Sequence, residues 1–365
     1  MMISLALLGY GVSGAFLILL QRQLLARFAA AYIGNLALFG ISAVGCFLLA
    51  QQIPFNAEEV LWDRRQTFWL LCTYLLLAVP FFFAANAIGL ALIRYRERLA
   101  RVYAADLLGA GLGSIGILVL LFVAMPTQAL TAIGLLGTGA ALLALRELRQ
   151  PAIAALLILP LVAGVLLMPA ERHTLEMSPY KGLSQTLRVS GTRIIAEHSS
   201  PLGLLSVVES PTIPLRHAPG LSLNASTEPP PQLAVFTDGD GLSAITRYDG
   251  NRQSLAHLDQ LTSALPYHLR PVERGLVLGA GGGGDVLQAL YHGAENIDAV
   301  ELNPQFARLI TTDYADLSGH IYDNPNVTLH IGEARSFTTG SPGDYDLIQI
   351  SLLDSFSASA SGQFA

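Results

Sequence analysis

Charge is scarce in this sequence. Only 13% of the 365 residues are Asp, Glu, Lys or Arg, against 52% hydrophobic, a balance too apolar for an ordinary soluble protein of this length. Cysteine is scarcer still. Cys46 and Cys72 both lie inside apolar runs, which excludes a disulfide framework and a cysteine metal centre, and no metal is expected. Positive charge is in deficit, with a formal net charge of −6, so nucleic acid is excluded as the main partner. The apolar excess is uneven: residues 1–170 hold long apolar runs, and the remainder reads as a globular sequence.

Apolar stretches at 3–20, 29–50, 67–93, 102–124, 128–145 and 151–168 suit a hydrocarbon core that takes roughly 20 residues of helix to cross. About six spans are read. No basic segment precedes the first run and no small-residue cleavage site follows it, so it is not a signal peptide. Gly109, Gly111, Gly113 and Gly116 put small residues on the fourth span, which suits close helix packing. Asn86 is placed to bond a neighbouring helix or backbone freed by Pro80, and Asp106, a few residues after Arg101 near a helix end, to reach water or an arginine rather than to serve transport. Arginines cluster on alternate loops at Arg22 and Arg27, Arg94 to Arg101, and Arg146 and Arg149. With six true spans that pattern puts the second half outside the cytoplasm. The reading adopted is an integral protein of the cell inner membrane with a cytoplasmic second half, the proline-bearing 151–168 run being the weakest span.

Residues 171–270 read as a small β-rich region, with β-like runs at Ser184–Val189, Arg193–Glu197, Leu204–Glu209 and Leu233–Thr237 and turn signals such as Asp238-Gly239. From residue 271 to 365 strands alternate with helices: 275–279, helix 284–292, 296–301, helix 304–314, 326–331 and 346–351. That alternation predicts a Rossmann-like parallel sheet. The sequence then reads as truncated after its fourth strand.

Within this domain Gly275 to Leu287 runs from an apolar strand through Gly279, Gly281, Gly282, Gly283 and Gly284 into a helix, and Glu301 closes the next strand. Glycines let the backbone turn tightly and lie against a ligand that a Cβ would repel. Amides from Gly283 to Leu287 are expected to face that space. Glu301 comes about 20 residues after the glycines, where a carboxylate accepts ribose hydroxyls. No lysine follows the glycines, which excludes an NTPase phosphate loop, and the spacing is not that of a dinucleotide fold. A cofactor with a ribose and no long phosphate chain fits, such as S-adenosylmethionine. The glycine loop, Glu301, Gly332-Glu333-Ala334 and Ser351–Ser355 all fall at strand carboxyl ends, where such sheets bind ligands.

These residues resemble the spermidine synthase-like family, specifically its membrane-fused members. The resemblance rests on Ser178-Pro179-Tyr180, Thr237-Asp238-Gly239, Val277 to Val286, Val300 to Asn303, Gly332 to Arg335 and Asp344 to Ile348. In the apolar half it rests on Val79 to Phe83 and Tyr103 to Ala110. It implies a class I methyltransferase-like fold that binds S-adenosylmethionine or its decarboxylated form. The residues at the site would be Gly279, Gly281, Gly282, Gly283, Asp285, Glu301, Asn303, Glu333 and Ala334. Glu301 would hold the ribose, and Glu333 the adenine amine, where the family usually has Asp.

Three departures matter. The family's Tyr-Gln pair is Tyr180-Lys181, its Tyr-His-Glu is at best His257-Leu258-Asp259, and its Asp-Ser-Ser-Asp is Ser351-Leu352-Leu353-Asp354. Asp354 is therefore the one acid left as a catalytic candidate. An amine with a pKa near ~10 needs a carboxylate to take its proton before it attacks. The expectation is a membrane-anchored transferase domain acting with a lipid bilayer and a small-molecule acceptor, an amine among the candidates; no oligomeric state is read. The alternatives are a methyltransferase-like or non-catalytic nucleoside-binding domain, and a transporter-like membrane module with a soluble sensor.

Overall fold

The computed structural model describes residues 2–149, 175–341 and 343–351. The chain divides into two compact units, Met1–Glu176 and Met177–Ala365, and each is described by itself.

The first unit consists of α1 (Met2–Ala26), α2 (Phe28–Gln51), α3 (Arg65–Arg94), α4 (Leu99–Leu121) and α5 (Pro126–Glu147). All five helices are long and apolar enough to cross a membrane. The sixth predicted span, 151–168, lies outside the described residues. Between α2 and α3, Asn56 caps a short turn at Ala57–Leu61. The buried Gln66 accepts the Asn56 amide at 2.9 Å and donates to Glu59 at 2.8 Å, fixing where α3 begins.

Helices α1 and α3 meet where a Cβ on Gly9 would lie 2.6 Å from Phe81 Cβ. The Ser13 hydroxyl donates to Asn86 Oδ1 at 2.7 Å, so Asn86 does bond a neighbouring helix. Helices α2 and α5 approach closest at Gly40, where a Cβ would stand 2.6 Å from the Gly134 carbonyl oxygen. The expected close packing at Gly109, Gly111, Gly113 and Gly116 is not seen: among the described residues nothing stands within 4 Å of a Cβ at any of them, and no residue of α4 is buried. Small residues permit close approach but do not enforce it; the contact forms where the opposing helix is also bare, as at Gly40 and Gly134. Asp106 makes no ion pair with Arg101 among the described residues.

The second unit opens with the short helix α6 (Gly182–Thr186), followed by β1 (Arg193–Ser200), β2 (Gly203–Glu209), β3 (Gln232–Thr237) and β4 (Gly241–Thr246) in one antiparallel sheet of order β1-β2-β3-β4. The strand predicted at Ser184–Val189 is therefore not formed: the helix runs to Thr186, and turns follow it. Leu183 and Leu187 are four apart, and the Leu187 amide bonds the Leu183 carbonyl at 2.9 Å, so both apolar side chains face Phe236 and Val208 with helical period. Asp238 (φ 52°) and Gly239 (φ 75°) turn β3 into β4 in the left-handed region that a tight hairpin demands.

After α7 (Leu265–Leu269) come β5 (Arg274–Leu278), α8 (Gly284–Tyr291), β6 (Asn296–Glu301), α9 (Pro304–Arg308), α10 (Ala315–Ser318), β7 (Val327–Ile331), α11 (Ala334–Gly340) and β8 (Leu347–Ile350). Their sheet is parallel throughout, in the order β7-β6-β5-β8. The helix expected over 304–314 is broken after Arg308 by a π turn at Leu309–Asp313, where the Tyr314 amide reaches back five residues to Leu309. Val277, Val286, Ala289, Ile297 and Ala299 pack on one face of the sheet, and Leu276, Leu278 and Val300 meet Phe337 and Tyr345 on the other. With both faces covered, the open positions are the strand ends.

Candidate functional site

Strand β5 ends in a turn that only glycine builds without strain. Gly279 (φ 78°), Gly281 (φ 47°) and Gly283 (φ 80°) all hold left-handed backbone. The amides of Gly279 and Ala280 both bond the Val300 carbonyl, at 2.9 and 3.0 Å, which ties the turn to the end of β6. Gly282 is bare for another reason: a Cβ there would stand 2.0 Å from the Ala244 carbonyl oxygen on β4, and its amide donates to Ser243 Oγ at 2.8 Å. Ile321 presses on Gly283 in the same way. The expected run of free amides is shorter than the sequence suggests. Gly283 N–H bonds Ala280, and Leu287 N–H bonds Gly283. Gly284, Asp285 and Val286 are then the first-turn amides with no helical acceptor.

Glu301 is buried at the tip of β6 with its carboxylate against the turn. Oε2 accepts the Gly281 amide at 2.9 Å, and Oε1 accepts the Asn303 amide at 2.8 Å. Burial pushes its carboxyl pKa up, and the amides of Asn303, Gly281 and Leu302 hold it partly down. Three amides on two oxygens leave about one of the four acceptor directions of the carboxylate open. Beside Glu301, burial and that carboxylate together raise the Tyr322 hydroxyl well above its usual range. The sequence reading missed Tyr322, as it missed Ser243 and Ala244. Their signal is tertiary, carried by segments far along the chain.

The other candidates have local duties. Asn303 Oδ1 accepts the Gln305 amide at 3.0 Å and caps α9. Glu333 is exposed and caps α11 through the Ser336 amide at 2.7 Å, which with the Arg335 amide holds its carboxyl below the usual range. Ala334, half-buried, is the first residue of that helix. Asp285 Oδ1 accepts from Gln349 on β8 at 2.7 Å; the same Gln349 amide nitrogen donates to Gln288, and its carbonyl accepts the Tyr267 hydroxyl at 2.8 Å.

Hydrogen bonds thus bring together Gly281, Glu301 and Asn303, whereas Asp285 and Glu333 are engaged elsewhere on the rim. The Gly332 amide bonds the Glu301 carbonyl at 3.0 Å, and the Ser351 amide bonds Leu278 at 3.0 Å, so the loops after all four strands share one edge. Among the described residues, Cβ atoms built on Gly284 and Gly332 meet nothing within 4 Å, which leaves space there. The Ser351 hydroxyl is buried with no partner among the described residues. Asp354, the predicted catalytic acid, lies outside them.

The departures read from the sequence also have structural counterparts. Lys181 donates to the Asp238 carbonyl. Leu258 is buried in the core, and its carbonyl accepts from Gln288 at 2.9 Å. His257 is buried too, and desolvation pushes its imidazole pKa down.

A parallel sheet of this order, with a glycine turn after its central strand and an acid at the tip of the next, defines a Rossmann-like unit. Within that class the chain resembles the spermidine synthase-like family. It is 23% identical over 166 residues to a polyamine aminopropyltransferase of Nitrosomonas europaea, a match covering 45% of this chain and 44% of that protein. The chain therefore spans less than half the length of that curated relative. Two solved structures are similar at 19% identity and a TM-score of 0.31. A spermidine synthase in complex with the transition-state analogue AdoDATO is matched over 43% of this chain and 47% of its own, and the spermidine synthase from Thermotoga maritima over 43% and 48%. No family model matches the chain.

Proposed function

We propose that the protein is a membrane-anchored, spermidine synthase-like transferase unit that binds S-adenosylmethionine or its decarboxylated form at the carboxyl edge of the parallel sheet. The observation that carries this reading is the contact of Glu301 with the Gly281 amide, which sets a carboxylate with a spare lone pair against bare backbone. A ribose hydroxyl fits that acceptor, and the space beside Gly284 and Gly332, open among the described residues, admits the rest of a nucleoside. Glu333 and Ala334, at the tip of β7, would edge the adenine. Bound there, the cofactor supplies its own leaving group at a sulfonium carbon. The chain's part is to orient it, exclude water and hold an acceptor amine in neutral form. Asp354 is the residue proposed for that proton.

Five apolar helices support the lipid bilayer as partner, and the cytoplasmic supply of S-adenosyl compounds favours that side for the second unit. The acceptor is proposed to be a small molecule, an amine by the resemblance.

A second reading is favoured by Ser351 and Leu258. The buried Ser351 hydroxyl stands where the family carries the first acid of its Asp-Ser-Ser-Asp, and the core residue Leu258 where it carries the histidine of its Tyr-His-Glu; neither side chain can take a proton from an ammonium ion. On this reading the pocket is kept for methyl transfer or for binding alone.

Calorimetric titration of the full chain in detergent with the two cofactors, beside Glu301→Ala, separates the outcomes. Heat with the decarboxylated form that Glu301→Ala abolishes supports the first reading. Heat with S-adenosylmethionine alone supports the second, and no heat from either refutes both.

A further inference from the structure

At the far end of α8 from the glycine turn, three side chains from separate segments converge. Asp259 closes the 3-10 segment Arg252–Gln260, His268 lies in α7, and His292 caps the C-terminus of α8. His268 Nε2 is 2.8 Å from Asp259 Oδ1, and His292 Nε2 is 3.7 Å from the same oxygen. One ligand atom from each lies within 4.8 Å of the others.

We propose that Asp259, His268 and His292 form a binding site for a divalent transition metal of the zinc class. Two imidazole nitrogens and one carboxylate oxygen are a donor set for that class, with the fourth tetrahedral position left to water. Zinc bonds of about 2.0–2.1 Å set tetrahedral donors roughly 3.4 Å apart, so His268 and Asp259 need to part by only about half an ångström. Both side chains are solvent-facing, and this adjustment is small for them.

A second observation is independent of the clustering. The His292 side chain is nine-tenths buried, and its Nε2 has no hydrogen-bond partner among the described residues, although an unpaired buried nitrogen is costly. The ring is fixed rather than adrift: it stacks on Tyr267 at 4.6 Å with 12° between planes and meets Tyr291 edge-on at 5.2 Å. A metal at the cluster gives that nitrogen a partner. The C-terminal end of α8 also favours a cation, through the partial negative charge of its last carbonyls. Arg252, which donates to the Tyr291 carbonyl, opposes it, so the carboxylate of Asp259 is needed to tip the balance. Bound metal would staple the 252–269 segment to α8, which already touches it through Gln288 and the Leu258 carbonyl.

The test uses the untagged full chain in detergent, stripped with a chelator and titrated with zinc against a competing chromophoric chelator, and separately with cobalt(II). The expected result is one equivalent of zinc per chain and the intense visible absorption of tetrahedral cobalt. His268→Ala and Asp259→Asn should each weaken zinc at least tenfold. His268 is exposed, so its loss leaves folding intact. Thermal unfolding supplies a second reading: zinc should raise the midpoint of the parent chain and not that of His268→Ala. No zinc uptake by the parent, or affinity unchanged by either substitution, overturns the proposal.

Discussion

The carbonyl oxygen of Ala244 stands 2.0 Å from the point where a Cβ on Gly282 would begin. The bare backbone of the turn therefore admits a neighbouring strand as well as a ligand, and the glycines are not equivalent. Gly282→Ala should force β4 away from the turn at a cost of about 1–3 kcal/mol. That lowers the unfolding midpoint of a unit this size by several degrees, roughly 2–4 °C per kcal/mol. Gly284→Ala meets nothing within 4 Å among the described residues and should leave the midpoint unchanged or higher, while weakening cofactor binding at least tenfold. Calorimetric scans and titrations of the two variants, side by side, check both halves.

Glu301 sets opposing pH trends for stability and binding. Its folded pKa is raised by burial, so its contribution to stability is full below the ordinary carboxylate range and is lost as pH climbs through the raised value. Ribose recognition needs the ionised form and should strengthen over that same climb. Unfolding midpoints and cofactor affinities measured from acid to neutral pH should therefore run in opposite directions, and Glu301→Gln should flatten both.

In the helical unit, Asn86 Nδ2 has no partner among the described residues, and its Oδ1 takes the Ser13 hydroxyl. Ser13→Ala leaves the amide wholly unpaired between α1 and α3 and should cost about 0.6–1.7 kcal/mol in a membrane-like medium. Asn86→Leu removes the buried polar group along with the bond and should cost less than Ser13→Ala. Unfolding of the two variants in mixed micelles ranks them; the reverse order would rule out a bonding role for Asn86.

Glu333 should behave as a cap before it behaves as a ligand. Its depressed pKa makes its support of α11 full above the usual carboxylate range and lost as pH falls through the lowered value. Hydrogen exchange over residues 334–340 should speed up in Glu333→Ala, and less so in Glu333→Gln, which retains an acceptor. If only cofactor affinity changes, the cap is dispensable.

What the sequence showed well is what lies close together along it. The β5–α8–β6 unit, the turn at Asp238-Gly239 and the acid at the tip of β6 are all set by residues within one supersecondary unit. Three features escaped. Strand β4 is diluted by Gly241, Ser243 and Ala244, so its alternation is faint. The Leu183–Leu187 pair carries a helical spacing inside a stretch of β-prone residues. Asp259, His268 and His292 are separated by intervals that match no ligand motif and meet only when α7 folds back on α8. The same limit explains the glycines of α4: a sequence shows which helix face is bare, and not which helix comes to it.

Sheet order has a consequence for assembly. In the antiparallel sheet each strand lies beside its neighbour in sequence, so pairing can proceed hairpin by hairpin as the chain is synthesised. The parallel sheet cannot grow that way. Gly275 pairs with Leu347, so one side of β5 waits uncovered until the chain through Ile350 has left the ribosome. During that interval the first strand of the sheet is the segment most in need of a chaperone.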